Sequence, residues 1–267
     1  MIEWNVSPEI MSIGPLSLRW YGLLFATSFI IGLQILMWVY KKENKNQDDL
    51  NDLVWYMVLA VVIGARLGHC LFYEPAYYLS HPIEILKVWK GGLASHGGVI
   101  GIVIGLYLFM RKKRDYSFMW LIDRVAIVAA LASFFIRMGN LFNSEIIGKA
   151  TGGSWGFIFV RANVADPMTP RHPAQLYEAI AYLILFIILI FYYKRKNSSI
   201  PEGRILGILL TYIFTFRFFV EFLKEDQTKF EAGMLLNMGQ LLSIPVVIIG
   251  IIILYRSYKK TRTKPVQ

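Results

Sequence analysis

The chain has 267 residues, of which 56% are hydrophobic and 17% charged, and its mean hydropathy is +0.49. So apolar a composition excludes a soluble globular domain of this size and points to long membrane-embedded segments. The formal charge of +10 raises nucleic-acid binding, but the basic residues sit in short clusters between apolar runs, the pattern by which membrane proteins set their orientation.

Residues 1–18 contain no Lys or Arg and carry Glu3 and Glu9. A secretory signal opens with positive charge, so this start does not read as one. A bilayer crossing needs about 20 mostly apolar residues. Seven runs qualify in chain order: 18–40, 50–73, 93–111, 119–140, 173–194, 203–223 and 236–256. The second carries Arg66 and His69, which the sequence leaves unassigned, and also Cys70. A single cysteine can form no internal disulfide and lacks the partners for a metal site, so Cys70 reads as a small packed residue.

Seven crossings put the termini on opposite sides. The connections after the first, third, fifth and seventh runs hold sixteen Lys and Arg residues; the other set holds seven in longer loops. The positive-inside rule then places the N-terminus outside and the C-terminus in the cytoplasm. The expected fold is an all-α integral membrane protein with about seven transmembrane helices, residues 1–267 forming one transmembrane domain. Two outer segments stand apart. "HPIEILKVWKGG" (81–92) spaces Ile83, Leu86 and Trp89 as a short helix lying at the interface, so 75–92 is read as an interfacial segment. Residues 141–172 form the longest loop, inserted between the fourth and fifth spans, with "GGSWGFIFV" as a turn and a strand; this is a small extracytoplasmic head.

With this orientation the unusual polar residues gather at the outer ends of the spans. "LRWYG" (18–22) opens the first and "LASHGGVIG" (93–101) the third, where His96 precedes Gly97 and Gly98. "IRMGNLFNSEIIG" (136–148) closes the fourth span with Arg137, Asn140, Asn143, Glu145 and Gly148. "RHPAQLYEA" (171–179) opens the fifth with His172, Gln175 and Glu178. "RFFVEFLKE" (217–225) closes the sixth, with Arg217 and Glu221 one turn apart on one face. Ionisable groups within spans are functional candidates because each is expensive to insert, about 2.5–3.5 kcal/mol for arginine at mid-bilayer.

Each residue also has a plainer reading. Arg137 and Arg217 either bind a phosphate through their donor forks or form ion pairs with Glu145 and Glu221. His96 either moves a proton or packs. The asparagines also suit helix termination, and His172 before Pro173 suits a helix start. The sequence has no HExxH, no paired cysteines and no P-loop. Asp123 is the only aspartate in the interior of a span, Asp52 lying at the very start of the second, which argues against an aspartyl intramembrane protease. A transporter or channel for an anionic lipid or solute is the alternative function, but it would spread polar groups through the membrane depth.

"IRMGNLFNSEIIG" resembles the signature Gly-Arg-x-Gly-Asn-Phe-x-Asn-x-Glu-x-x-Gly of the prolipoprotein diacylglyceryl transferases of bacterial inner membranes. Arg137, Gly139, Asn140, Asn143, Glu145 and Gly148 match, while Ile136 and Leu141 depart from the pattern. "RWYG" (19–22), "SHGG" (95–98), "RHPAQLYEA" and "RFFVEFLKE" resemble further motifs of that family, in the same order along nearly the whole chain.

The resemblance implies transfer of an sn-1,2-diacylglyceryl group from phosphatidylglycerol to the lipobox cysteine of a prolipoprotein signal peptide. It implies release of glycerol 1-phosphate, and it implies neither cofactor nor metal. The expected catalytic set is His96, Arg137, Arg217 and Tyr21. The expected substrate-binding set is Arg137, Asn140, Asn143, Glu145, Gly148, Gly97, Gly98, Glu221, His172 and Gln175. The expected site faces the outer leaflet. The oligomeric state is not legible from the sequence.

Overall fold

The computed structural model describes residues 1–14, 16–196, 199–226 and 233–262. The chain forms two compact units, one of residues 1–35 and 123–267, the other of residues 36–122.

The first unit opens with strand β1 (Ile2–Trp4) and a hairpin of β2 (Glu9–Ile13) and β3 (Leu16–Arg19), which runs directly into α1 (Trp20–Lys42). The continuation includes α6 (Phe118–Phe142), β4 (Phe157–Phe159), α7 (Ala174–Lys196) and α8 (Arg204–Val220). A short 3-10 turn (Glu221–Leu223) ends α8, and α9 (Met238–Arg262) follows. β1 pairs in parallel with β4, Ile2 opposite Phe157 and Trp4 opposite Phe159. This ties the first residues to the predicted head, where Leu141, Ile147 and Phe159 form a small core under Trp4. The Trp4 indole N–H donates to the Leu141 carbonyl at 3.0 Å, giving the ring's polar edge a partner.

Helices of this unit approach closely where side chains are absent. A Cβ on Gly32 of α1 would lie 2.4 Å from Val128 of α6, and one on Gly207 of α8 would lie 2.6 Å from Leu254 of α9. The start of α8 shows why Asp123 is tolerated inside an apolar helix. Gly203, with φ +84°, offers no side-chain cap. The Asp123 carboxylate instead accepts from the Gly203 N–H at 2.7 Å and the Leu206 N–H at 2.8 Å. It satisfies two of the orphan donors of another helix's first turn.

The second unit is built on α2 (Gln47–Phe72), α3 (Pro75–Ser80), α4 (Pro82–Ile85) and α5 (Ser95–Lys112). Asn46 caps α2, its side chain accepting from the Asp48 N–H at 3.0 Å. α2 and α5 run antiparallel in near-backbone contact. A Cβ on Gly97 would sit 2.2 Å from the Gly64 carbonyl oxygen, and one on Gly101 would sit 2.1 Å from that of Ala60. Without a hydrophobic drive between helices in lipid, such small-residue surfaces let backbones gain dispersion contact. At the other end of the pair, the Lys113 ammonium reaches Asp49 at 2.5 Å and Asp52 at 3.0 Å.

Among the described residues, six helices are long and apolar enough to cross a membrane: α1, α2, α6, α7, α9 and the stretch Arg204–Leu223 containing α8. Many of their aliphatic side chains point outward, among them Ile63, Ile188 and Ile252, the reverse of a soluble protein. The chain is thus a helical, multi-pass membrane protein. The predicted span 93–111 differs from the other six. It is α5, of 18 residues, whose four glycines, His96, Arg111 and Lys112 dilute its apolar character. The predicted single helix at 81–92 is broken as well. Pro75 and Pro82 each start a short helix, and residues 88–90 form a 3-10 turn. Ile83, Leu86 and Trp89 remain more than two-thirds exposed.

Replacing Gly101 with Val forces a branched side chain into the Ala60 carbonyl. It is expected to destabilise the purified protein by about 1–3 kcal/mol, the usual range for overpacking. Val99→Ala, at an exposed position of the same helix, changes little. Thermal unfolding in detergent checks both, and equal midpoints for Gly101→Val and the parent would refute the close α2–α5 packing.

Candidate functional site

The signature 136–148 occupies the last turns of α6 and the reversal that follows. Gly139 is required by its neighbour, because a Cβ there would lie 2.6 Å from the Tyr21 ring. After Phe142 the chain turns back sharply, with Ser144 at φ +52° and Ile146 at φ +57°. A β-branched residue in the left-handed region is a strained conformation that only its surroundings can maintain. The reversal brings Glu145 back over the helix end, its N–H donating to the Asn140 carbonyl at 3.1 Å. The Glu145 carboxylate accepts from Asn140 Nδ2 at 2.7 Å and from Asn143 Nδ2 at 3.3 Å. Gln175 Nε2 donates to the Glu145 backbone carbonyl at 2.6 Å, so the start of α7 holds the turn.

Gly148 sits where three segments meet. Its N–H donates to the His172 carbonyl at 2.9 Å, and a Cβ would lie 2.5 Å from that oxygen and 2.9 Å from the Leu223 oxygen. Lys149 N–H donates to Leu223 O, and Glu225 N–H to Ile147 O. Residues 147–149 are thereby laced to both 172 and 223–225. His172 is half-buried, with Nδ1 3.3 Å from the Tyr177 hydroxyl and its ring edge-on to Trp155.

The two arginines are joined by a chain of buried charges. Arg137 Nε lies 2.9 Å from Glu178 Oε2, and its Nη1 donates to Asn140 Oδ1 at 3.2 Å. Glu178, projecting from α7, also accepts from the Tyr182 hydroxyl at 3.1 Å. Lys224 Nζ lies 3.1 Å from Glu178 and 2.9 Å from Glu221. Glu221 in turn lies 3.3 Å from Arg217 Nε and accepts from Asn237 Nδ2 at 3.2 Å. Burial pushes the Lys224 ammonium below the usual lysine range, while its two glutamates oppose that shift. These five groups hold three cations and two carboxylates. Arg217 is the open one, its side chain 37% exposed, against 0% for Glu178, 1% for Lys224 and 4% for Glu221. A surplus positive charge at the accessible end of a buried network is suited to an anion.

The expected residues of the first unit therefore come together: Tyr21, Arg137, Asn140, Asn143, Glu145, Gly148, His172, Gln175, Arg217 and Glu221 share the contacts above or neighbour those that do. The expected Arg217–Glu221 pair is present. The expected Arg137–Glu145 pair is not. Glu178 takes Arg137, because α7 carries its carboxylate directly beside that guanidinium, while Glu145 takes the two asparagine amides. The sequence alone places Glu178 among the polar residues of its motif without a role and does not mark out Lys224. The three-residue spacing of Glu221 and Lys224 was the available signal for the lysine.

In the second unit, His96 is exposed, edge-on to Phe72 and stacked against Tyr73. Gly97 has a packing reason for being glycine, namely Gly64; Gly98 has only ordinary contacts. Arg66 is a structural clamp. It donates to the carbonyls of Glu84 and Gly91 at 2.6 Å, Ile85 at 2.9 Å and Gly92 at 3.2 Å, and lies over the Tyr78 ring. It thus binds the 75–92 segment to α2. His69 stacks on Tyr73 and meets Tyr78 edge-on.

Fold and site together define a helical membrane protein with paired arginines and amides assembled at helix ends. The family described as prolipoprotein diacylglyceryl transferase matches residues 8–256. A phosphatidylglycerol–prolipoprotein diacylglyceryl transferase of Chloroherpeton thalassium is 48% identical, covering 98% of this chain and 96% of the relative. Namesakes from Tolumonas auensis and Bacteroides fragilis are each 46% identical, over 97% and 98% of this chain and 99% and 98% of the relatives. The chain belongs to the prolipoprotein diacylglyceryl transferase family.

Glu178→Ala leaves Arg137 and Lys224 short of a buried counter-charge. Its expected destabilisation is about 3–5 kcal/mol, the usual range for removing one partner of a buried pair. Glu145→Gln, at an exposed carboxylate, is expected to stay within about 1 kcal/mol. Denaturant unfolding of the two variants side by side checks the ordering.

Proposed function

We propose that this protein is a transferase that moves the sn-1,2-diacylglyceryl group of phosphatidylglycerol onto the lipobox cysteine of a prolipoprotein. The family match across residues 8–256 carries this reading, and the arginine–amide constellation at the α6 and α8 ends supports it. The same match favours the transferase over a transporter of anionic lipids. In the proposed reaction the cysteine thiolate attacks the glycerol carbon bearing the phosphate ester. The sulfur–carbon bond forms, the carbon–oxygen bond breaks, and the electron pair leaves on glycerol 1-phosphate.

Two needs follow from this chemistry. The thiol must lose its proton, because the thiolate is the nucleophile. The charge on the leaving phosphate must be held. Arg137 and Arg217 are the proposed phosphate clamps. Asn140 and Asn143, oriented by Glu145, are the proposed headgroup contacts, with Tyr21 as a further hydrogen-bonding group. His172 and Gln175 support the turn that carries Glu145, Glu221 orients Arg217, and Gly148 allows the close meeting of segments. His96 at the start of α5, followed by Gly97 and Gly98, is the proposed proton acceptor.

The proposed topology is seven crossings, with the N-terminus and the 141–172 head outside the bacterial cytoplasmic membrane and the site at the outer leaflet. The β1–β4 pairing supports it, because residues 2–4 and 157–159 must then share a side. Between them lie α1, α2, α5 and α6, so an even number of crossings includes α5. Its 18 residues reach about 27 Å at 1.5 Å per residue, close to the hydrocarbon thickness of about 30 Å. In the proposed arrangement the 75–92 segment rests at the outer interface, with Ile83, Leu86 and Trp89 toward lipid.

The test is mass spectrometry of a lipobox peptide incubated with purified protein in phosphatidylglycerol liposomes. A diacylglyceryl mass gain on the peptide cysteine is expected with the parent protein. Arg137→Ala should lower the rate by about 10²–10³-fold, the usual loss for one charge-stabilising donor. His96→Gln should lower it by about 10²–10⁴-fold if His96 is the base. Retained activity in His96→Gln removes that assignment alone, whereas no gain with folded parent protein removes the transferase reading.

A further inference from the structure

We infer that Lys224 is a positioning residue for the transfer: it shares Glu178 and Glu221 between itself and the two arginines, so that neither Arg137 nor Arg217 is fully neutralised by its own carboxylate. The inference rests on the transferase reading above and adds a residue to its machinery.

The geometry is specific. Lys224 is 1% exposed, and its ammonium lies 3.1 Å from Glu178 and 2.9 Å from Glu221. Glu178 also faces Arg137 at 2.9 Å, and Glu221 faces Arg217 at 3.3 Å. Each carboxylate is therefore divided between two cations. Without Lys224, the same groups reduce to two neutral pairs, and Glu178 and Glu221 lose the cation that separates them. The net charge of the set falls from one positive to zero, and both carboxylates can close on their arginines. An arginine held by its own carboxylate is a poorer ligand for phosphate, since bidentate anion recognition uses the same donor fork.

The backbone fixes Lys224 for this task. It follows the 3-10 turn 221–223, its own N–H donating to the Glu221 carbonyl, and residue 224 bridges Gly148 in antiparallel fashion. The close packing at Gly148 thus reaches the arginines through Lys224: a Cβ at 148 would lie 2.9 Å from the Leu223 oxygen and displace the segment that carries the lysine. A surface salt bridge would have no such consequence, but a fully buried cation with two carboxylates leaves no water to compensate for its loss.

The experiment uses the full-length protein in liposomes, with steady-state kinetics in both phosphatidylglycerol and lipobox peptide. Lys224→Met, Lys224→Gln and Lys224→Arg are compared with the parent, each normalised to its folded fraction. Lys224→Met should lower kcat/KM for phosphatidylglycerol by about 10–100-fold and leave the KM for peptide within about twofold, while Lys224→Arg, which keeps the charge and can reach both carboxylates, should recover most of the loss. A purely structural lysine would lower the folded fraction and leave the activity of each folded molecule unchanged for both substrates. Should Lys224→Met fail to fold, Lys224→Gln, polar and neutral, carries the same expectation. Parent-like lipid kinetics in the folded neutral variant, or an equal loss in Lys224→Arg, would overturn the inference while leaving the transferase intact. An inactive folded parent would instead overturn the transferase reading on which it rests.

Discussion

Burying charge near the apolar layer of a membrane is unfavourable unless each charge meets a partner, and the first unit meets that constraint with one contiguous set of groups. Glu178 from α7, Glu221 and Lys224 from the end of α8, and Arg137 from α6 satisfy one another within ordinary ion-pair distances. Remove either glutamate and a desolvated cation remains, so the ends of three helices are held in register by electrostatics rather than by apolar packing alone. The set carries one more cation than carboxylate, and its exposed end is Arg217, so the same arrangement that organises the fold leaves a surplus positive charge at its accessible end.

The backbone around this set is arranged to keep it in place. Residues 147–149 hydrogen-bond to His172 on one side and to 223–225 on the other. The reversal between α6 and the head is strained at Ile146, and it is held by Gln175 through the Glu145 carbonyl. The strain has a clear consequence: it returns the Glu145 carboxylate to Asn140 and Asn143, and so sets which way both amides point. A relaxed turn would carry that carboxylate away from the helix end.

The second unit answers a different demand. Lipid surrounds its helices, so apolar side chains gain little by meeting each other, and α2 and α5 instead approach through Gly64, Gly68, Gly97 and Gly101. Arg66 then uses four backbone carbonyls as its partners and secures the broken segment 75–92 without any carboxylate. An arginine in an apolar run is a functional candidate by default, but here all three guanidinium nitrogens donate to main-chain oxygens. The contrast with Arg137 and Arg217 is one of partners: those two arginines face carboxylates shared with a lysine, whereas Arg66 faces main-chain carbonyls.

The apolar runs, the basic clusters between them and the polar helix ends were all legible in the sequence, because hydropathy and charge act locally along the chain. The sequence determined by itself that the protein is helical and membrane-embedded, that "IRMGNLFNSEIIG" ends an apolar helix with clustered polar groups, and that Arg217 and Glu221 share a helix face. It also carried the ordered motifs of the transferase family. Only the tertiary structure decided the partners. Arg137 meets Glu178 rather than the nearer Glu145, since a separation of 41 positions says nothing about which helices lie side by side. The broken 75–92 segment, the role of Arg66 and the place of Lys224 between two glutamates depend in the same way on contacts between distant segments. Local pattern states which groups must be satisfied; the packing of the chain selects what satisfies them.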